Sequence, residues 1–171
     1  TLARLEAGKL NTGMREISLR AAIDPIWLNY QSRAEEKKLS VEFEIQAGMS
    51  LHCDATLLRI IVRNLIENAV IHSGDGSSLK LTASMDASSR RISLSNGGSQ
   101  LDQAEAERAC ERFWRGDTSR SATGQHSGLG LSLVKQAVKL LGGNVEISSE
   151  KGGDFLVELN FSNGQANALN S

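Results

Sequence analysis

Three polar side chains stand four residues apart in the segment Asn64-Leu65-Ile66-Glu67-Asn68-Ala69-Val70-Ile71-His72. On a helix each step of four advances about 40° around the axis, so Asn64, Asn68 and His72 form a slanting polar stripe. Asparagine is disfavoured inside helices because its amide competes for backbone groups. Two of them beside an apolar face therefore need partners. One reading is a satisfied polar patch against a loop. The other is a ligand site, since neutral amide oxygens suit a hard, partly hydrated Mg2+ carried by a nucleotide.

Two glycine groups follow. Ser95-Asn96-Gly97-Gly98-Ser99-Gln100-Leu101 comes after an alternating run. Paired glycines at a strand end let backbone approach a ligand, and they also make a plain turn. Ser127-Gly128-Leu129-Gly130-Leu131-Ser132-Leu133-Val134 opens a helical pattern after a long loop. Helix N-termini carry unpaired N–H groups and attract phosphate. The segment is neither a P-loop, lacking the Lys-Ser/Thr ending, nor a dinucleotide fingerprint, since no simple strand precedes it.

The elements that must position these residues are legible in outline. Leu2, Leu5 and Leu10 suggest the end of an amphipathic helix with no start signal, the mark of a piece of something longer. Glu16-Ile17-Ser18-Leu19 alternates as a short strand. Residues 20–39 have helical spacing, with Pro25 expected in the first turn. Val41, Phe43 and Ile45 alternate with Glu42 and Glu44 as a half-buried strand. Residues 55–72 carry the strongest helical stripe, through Leu58, Ile61, Val62, Leu65 and Ala69, with Asp54 as N-cap. Leu79, Leu81 and Ala83, then Ile92 and Leu94, predict a hairpin around 86–89. A helix over 102–113, a loop over 114–127, and a helix over 128–141 stopped by Gly142-Gly143 come next. Val145/Ile147 and Phe155/Val157/Leu159/Phe161 close the order as strands, and the tail from Ser162 reads as frayed. This order predicts an α/β two-layer sandwich, a mixed β-sheet with helices on one face.

Composition sets the bounds. The chain has 171 residues, 40% apolar and 23% charged, which suits one globular domain. Its 16 Gly against one Pro are concentrated between Gly74 and Gly153. The net charge of −1 offers no electrostatic case for nucleic acid. Apolar runs of about half a dozen residues fall far short of the ~20 that cross a bilayer. Cys53 and Cys110 lack metal-ligand spacing and read as reduced and structural, in keeping with a cytoplasmic setting.

In order, these motifs resemble the catalytic ATP-binding domain of bacterial two-component sensor histidine kinases, which has a Bergerat-type ATPase fold. Asn64-Leu65-Ile66-Glu67-Asn68-Ala69 looks like the N box and Cys110-Glu111-Arg112-Phe113-Trp114-Arg115 like the F box. Gly128-Leu129-Gly130-Leu131 looks like the second glycine box, and Gly152 with Phe155 like the last. Residues 1–13 resemble the end of the second dimerisation helix, 14–161 the catalytic domain with its ATP lid at 114–127, and 162–171 a disordered tail. The resemblance implies that Asn68 holds Mg2+ and that Asn64 sits near the triphosphate. It implies that Asn96 and Gly98 meet adenine. Gly128, Leu129 and Gly130 would pass N–H groups to phosphates, and Arg112 or Arg115 would hold the lid or the phosphates. His72 would stack on the nucleotide or cap the pocket. The implied reaction is γ-phosphoryl transfer from ATP to a histidine on the dimerisation domain of the same protein. Relay to a response regulator would follow, within a homodimer forming the cytoplasmic part of an inner-membrane sensor.

Four positions depart from the family pattern. Asn96 stands where the family usually has an Asp that accepts from the adenine amino group; an amide oxygen still accepts. Gln100 replaces a glycine of the same box. Ile71 replaces a Lys or Arg three residues after Asn68, and His126 replaces a glycine two before Gly128. None of His52, His72 and His126 lies on a dimerisation helix, so the acceptor histidine is expected elsewhere. Relatives that hydrolyse ATP place a Glu one turn before the Mg2+-binding Asn, and here that position is Asn64, a poor base. Two other readings are a degenerate regulatory module with weak or no nucleotide binding, and an anti-sigma-type serine kinase.

Overall fold

The computed structural model describes residues 13–109, 111 and 129–162. A five-stranded mixed sheet has the order β2-β4-β5-β7-β6, formed by β2 (Ser40–Ile45), β4 (Ser78–Met85), β5 (Ser89–Gly97), β7 (Asp154–Ser162) and β6 (Asn144–Ser149). Only β2 and β4 run parallel; the other neighbours are antiparallel. A separate antiparallel pair joins β1 (Met14–Ser18) to β3 (Ser50–Asp54).

Alternation explains why the helices cover one face. Leu79, Leu81 and Ala83 of β4, Ile92 and Leu94 of β5, and Phe155, Val157 and Leu159 of β7 are all buried. Their neighbours Lys80, Thr82, Ser93 and Glu158 occupy the opposite face, half-buried. Against the apolar face lie α1 (Leu19–Trp27), α3 (Ala55–His72) and α5 (Gly130–Leu140). From α3, Leu57, Leu58, Ile61, Val62, Leu65, Ile66, Ala69 and Val70 join the core. This agrees with the α/β sandwich expected from the sequence.

Ala55–His72 matches the expected span, and Asp54 caps it by accepting from the N–H groups of Thr56 (2.8 Å) and Leu57 (3.0 Å). The hairpin between β4 and β5 forms as expected, and Asp86 closes its turn by accepting from Ser88 and Ser89. Those hydrogen bonds hold the Asp86 carboxyl well below the usual carboxylate range.

Several expectations need correction. Residues 20–39 form two helices, α1 and α2 (Gln31–Glu36), and α1 starts at Leu19, which the alternation had placed in a strand. The Ser18 side chain accepts from the Ala21 N–H, so the chain turns helical there and buries Leu19. Pro25 lies in the last turn of α1, not the first. The helix ends two residues later, where Asn29 donates its amide to the Pro25 carbonyl (3.0 Å). Strand β3 is additional: Met49, Leu51 and Cys53 are buried while His52 is exposed. The helix expected over 102–113 is the short α4 (Gln103–Arg108), opened by a capping box between Asp102 and Glu105. The helix expected from 128 begins at Gly130, and Ser162 still belongs to β7, paired with Ser89. Residues 1–12, the F-box residues Cys110 and Arg112–Arg115, the lid and residues 163–171 lie outside the described residues. Burial and the carboxylates of Asp54 and Glu16 push the Cys53 thiol up to about 11, which keeps it protonated and inert at neutral pH.

The far end of α3 has a stop that no local motif announces. Lys37, just past α2, sends its ammonium to the last carbonyls of α3, bonding those of Val70 (3.1 Å), Ile71 (2.8 Å) and Ser73 (2.6 Å). Burial holds its pKa below the ordinary lysine range, and Asp75 opposes that. A cation at a helix C-terminus meets both the unpaired carbonyls and the negative end of the dipole. Charged hydrogen bonds of this kind contribute about 2–3 kcal/mol in total after desolvation. Lys37→Met should therefore lower the melting temperature by roughly 5–10 °C in a thermal scan. A drop of under about 2 °C would remove Lys37 from this role.

Candidate functional site

The polar stripe of α3 is half-buried at Asn64 and Asn68 and exposed at His72. Asn64 donates its amide to the Ile60 carbonyl one turn earlier (2.7 Å). That bond fixes the side chain and leaves its Oδ1 pointing at α5. A methyl group built on Gly130 would lie 3.4 Å from that oxygen, about van der Waals contact. The α5 N-terminus therefore sits beside the Asn64 end of the stripe. Unlike α3 and α4, α5 has no side-chain cap: Leu129 precedes it and supplies none. Among the described residues no side chain caps its first amides, and helix N-termini of this kind take anions.

Beyond the stripe lies the end of β5. Asn96 follows Ile92 and Leu94 on the helix-covered face, only 2% exposed, between its cross-strand partners Leu79 and Phe155. Its Nδ2 is buried and has no hydrogen-bond partner among the described residues. A buried amide donor without an acceptor is costly, so such an atom calls for an explanation. Gly98 has a positive φ of 78°. A Cβ there would come within 2.8 Å of the Gly74 nitrogen and 2.9 Å of its Cα. The Gly74 N–H donates to the Gly97 carbonyl (3.0 Å), and the Ser77 hydroxyl donates to the same oxygen (3.1 Å). From the other side, the Gly152 N–H donates to the Ser99 carbonyl (2.7 Å), and the Ser99 N–H to the Gly153 carbonyl (3.0 Å). Both turns clamp the strand end, which fixes Asn96 and Gly98.

The structure thus brings Gly130 beside Asn64, with Leu129 next to Gly130 in the chain and Asn68 and His72 further along α3. Asn96 and Gly98 sit where β5 meets the turn that follows α3. Arg112, Arg115 and Gly128 lie outside the described residues. Departures also have places: Gln100 is exposed and donates to the Gly98 carbonyl (3.2 Å), and the Ile71 carbonyl is one of those held by Lys37. Lys37, Gly74 and Ser77 are positioning residues that sequence reasoning missed. Residues 73–77 looked like a loop ending a helix, and nothing local marks Lys37.

The residues fit a magnesium nucleotide on three counts. The donors near the stripe are neutral amides, which suit an ion whose other ligands are phosphate and water. The nearby helix N-terminus has no side-chain cap among the described residues. The buried Asn96 donor faces no acceptor among the described residues. Among those residues there is no cluster of three or more His, Cys, Asp or Glu able to hold a metal by itself.

Comparison with known proteins gives the family and the fold. Residues 53–163 match the family described as histidine kinase-, DNA gyrase B-, and HSP90-like ATPase. The sensor histidine kinase HprS of Escherichia coli is 32% identical over 144 residues, covering 84% of this chain and 30% of that protein. The sensor protein CzcS of Cupriavidus metallidurans is 29% identical over 160 residues, covering 94% of this chain and 33% of that protein. The chain therefore spans about a third of these curated relatives. Among solved structures, the Acinetobacter baumannii histidine kinase AdeS superposes with a TM-score of 0.77 at 18% identity, covering 96% of this chain and 74% of that one. Full-length ShkA in complex with AMPPNP gives 0.77 at 24% identity, covering 92% and 33%. At those identities the likeness establishes the fold. Sequence motifs, fold and family match converge, and the chain belongs to the histidine kinase-, DNA gyrase B- and HSP90-like ATPase family, as a catalytic ATP-binding domain of the sensor-kinase type.

Proposed function

We propose that this chain binds Mg-ATP and transfers its γ-phosphoryl group to a histidine of a dimerisation domain, for relay to a response regulator. The observation that supports the reading is the approach of Asn64 Oδ1 to Gly130, which sets a neutral amide stripe beside a helix N-terminus with no side-chain cap among the described residues. In this reading Asn68 holds Mg2+, whose charge offsets that of the phosphates. Asn64 and the amides of α5 orient the triphosphate, and Asn96 with Gly98 receives the base. His72 at the end of the stripe borders the nucleotide, and Arg112, Arg115 and Gly128 would complete the phosphate side. Positioning and charge neutralisation supply the catalysis, as phosphoryl transfer requires.

Asn64 also bears on the choice between transfer and hydrolysis. An amide cannot take a proton from water, so this position cannot serve as general base. An imidazole acceptor is nucleophilic without one. The bond from γ-phosphorus to the bridging oxygen breaks, a bond to the imidazole nitrogen forms, and ADP leaves. Incubating the chain with radiolabelled ATP, Mg2+ and a supplied dimerisation domain should label that domain on histidine. Label would be acid-labile and base-stable. Rapid release of inorganic phosphate without protein labelling would contradict the proposal.

A further inference from the structure

We propose that β2, the open edge of the five-stranded sheet, takes an extended segment of a partner protein as an added strand, one that alternates apolar residues with Lys or Arg. Among the described residues β2 pairs only with β4. The Ser40 N–H donates to the Ser77 carbonyl (2.9 Å), and the Gln46 N–H to the Ala83 carbonyl (2.9 Å). Even-numbered residues of β2 therefore turn their backbone groups toward β4. Successive residues of a strand alternate in direction, so the N–H and C=O groups of Val41, Phe43 and Ile45 turn outward. Among the described residues no turn, loop or side-chain hydrogen bond reaches those outward groups. A row of unpaired backbone donors and acceptors is a template for another strand.

The two faces of an added strand would meet different surroundings. Val41 and Phe43 register with the buried Leu79 and Leu81, so they face the helices. There the edge borders a groove of about 350 Å3 between β2 and the helices α1 and α2, lined by Trp27, Ala34, Leu39, Val41 and Phe43. Trp27 meets Phe43 edge to face, with ring centroids 5.1 Å apart, which fixes the aromatic wall. Gln31 and Glu35, joined by a hydrogen bond (3.0 Å), add a polar border. Apolar side chains of an added strand would enter this groove. On the opposite face stand the exposed Glu42 and Glu44, with Lys80 of β4 between them at 3.1 and 2.8 Å. One cation against two carboxylates leaves the edge negative. Opposite charges across neighbouring strands stabilise a sheet, and like charges destabilise it. Lys or Arg opposite Glu42 and Glu44 therefore completes the row, whereas a second copy of this chain would set glutamates against glutamates.

The probe is a peptide alternating leucine with lysine over six residues, the length of β2, titrated against the 171-residue chain. Binding should saturate below about 1 mM. Amide exchange should slow about tenfold or more at Val41, Phe43 and Ile45, and stay unchanged at Glu42 and Glu44, whose N–H groups already face β4. A peptide alternating leucine with glutamate should bind about tenfold or more weakly. N-methylating either the leucines or the lysines, whichever set faces β2, should cost about tenfold, and methylating the other set should not. Val41→Pro removes an N–H that β4 does not use, so the variant should fold and bind the peptide about tenfold or more weakly. If it does not fold, the N-methylated peptides on the wild-type chain decide. Equal affinity for the lysine and glutamate peptides, or no slowing at the three outward amides, would overturn the proposal. Slowing at those amides without peptide, rising with protein concentration, would assign the edge to a second copy and overturn it as well.

Discussion

Asn68→Ala should weaken Mg2+-dependent nucleotide binding by about a hundredfold, the upper range for disturbing a metal's immediate surroundings. The melting temperature of the nucleotide-free chain should move by less than about 2 °C. The two expectations follow from the same placement. Asn68 lies half-buried on the border of the α3 stripe, between the buried Leu65 and Ala69 that hold the helix to the core. Its side chain is not part of that packing, so alanine, a better helix former, costs the fold little. The amide oxygen, by contrast, is the group assigned to the ion. Titrations with and without Mg2+ separate the roles: without the ion, variant and wild type should bind nucleotide equally weakly. An unchanged Mg2+-dependent titration would remove Asn68 from its role.

Gly98→Ala should lower the melting temperature by about 10 °C and strip the site of base binding. Its φ of 78° costs an alanine about 1–2 kcal/mol. The added methyl would meet Gly74 backbone at 2.8 and 2.9 Å, where no flexible side chain can yield. Relief requires the two turns to part, breaking the Gly74–Gly97 hydrogen bond between them. That adds about 1–3 kcal/mol. Because the same strand end carries Asn96, the site should fail before the whole fold does. A thermal scan and an ATP titration on one sample check both effects. A variant that melts and binds like wild type would mean that the close approach of Gly98 to Gly74 has no consequence.

These two residues also show what was readable in the sequence. Ala55–His72, its Asp54 cap and the Asn64–Asn68–His72 stripe follow from a period of four and one good capping residue, both local signals. The hairpin from β4 to β5 and the closing strands follow from alternation. The split between α1 and α2 does not, because Ser18 caps a helix where Ile17 and Leu19 alternate like a strand. Strand β3 escaped because its alternation is carried by Leu51 and Cys53 around a single exposed His52. Within the site, the residue types suggested the chemistry, and the family resemblance supplied the roles. The supports were invisible for a physical reason: they are long-range. Lys37 reaches carbonyls 33 to 36 residues away, and Gly74 matters only because Gly98 folds against it. The α5 N-terminus, without a side-chain cap among the described residues, likewise has meaning only once Asn64 stands beside it.

The most direct test of this account is a titration of the folded chain with a fluorescent ATP analogue, with Mg2+ present and then chelated. The arrangement of Asn64, Asn68, Asn96 and Gly130 predicts saturable binding below about 1 mM, displaced by ATP and weakened by chelation. A folded chain showing no saturable binding up to that concentration would contradict it.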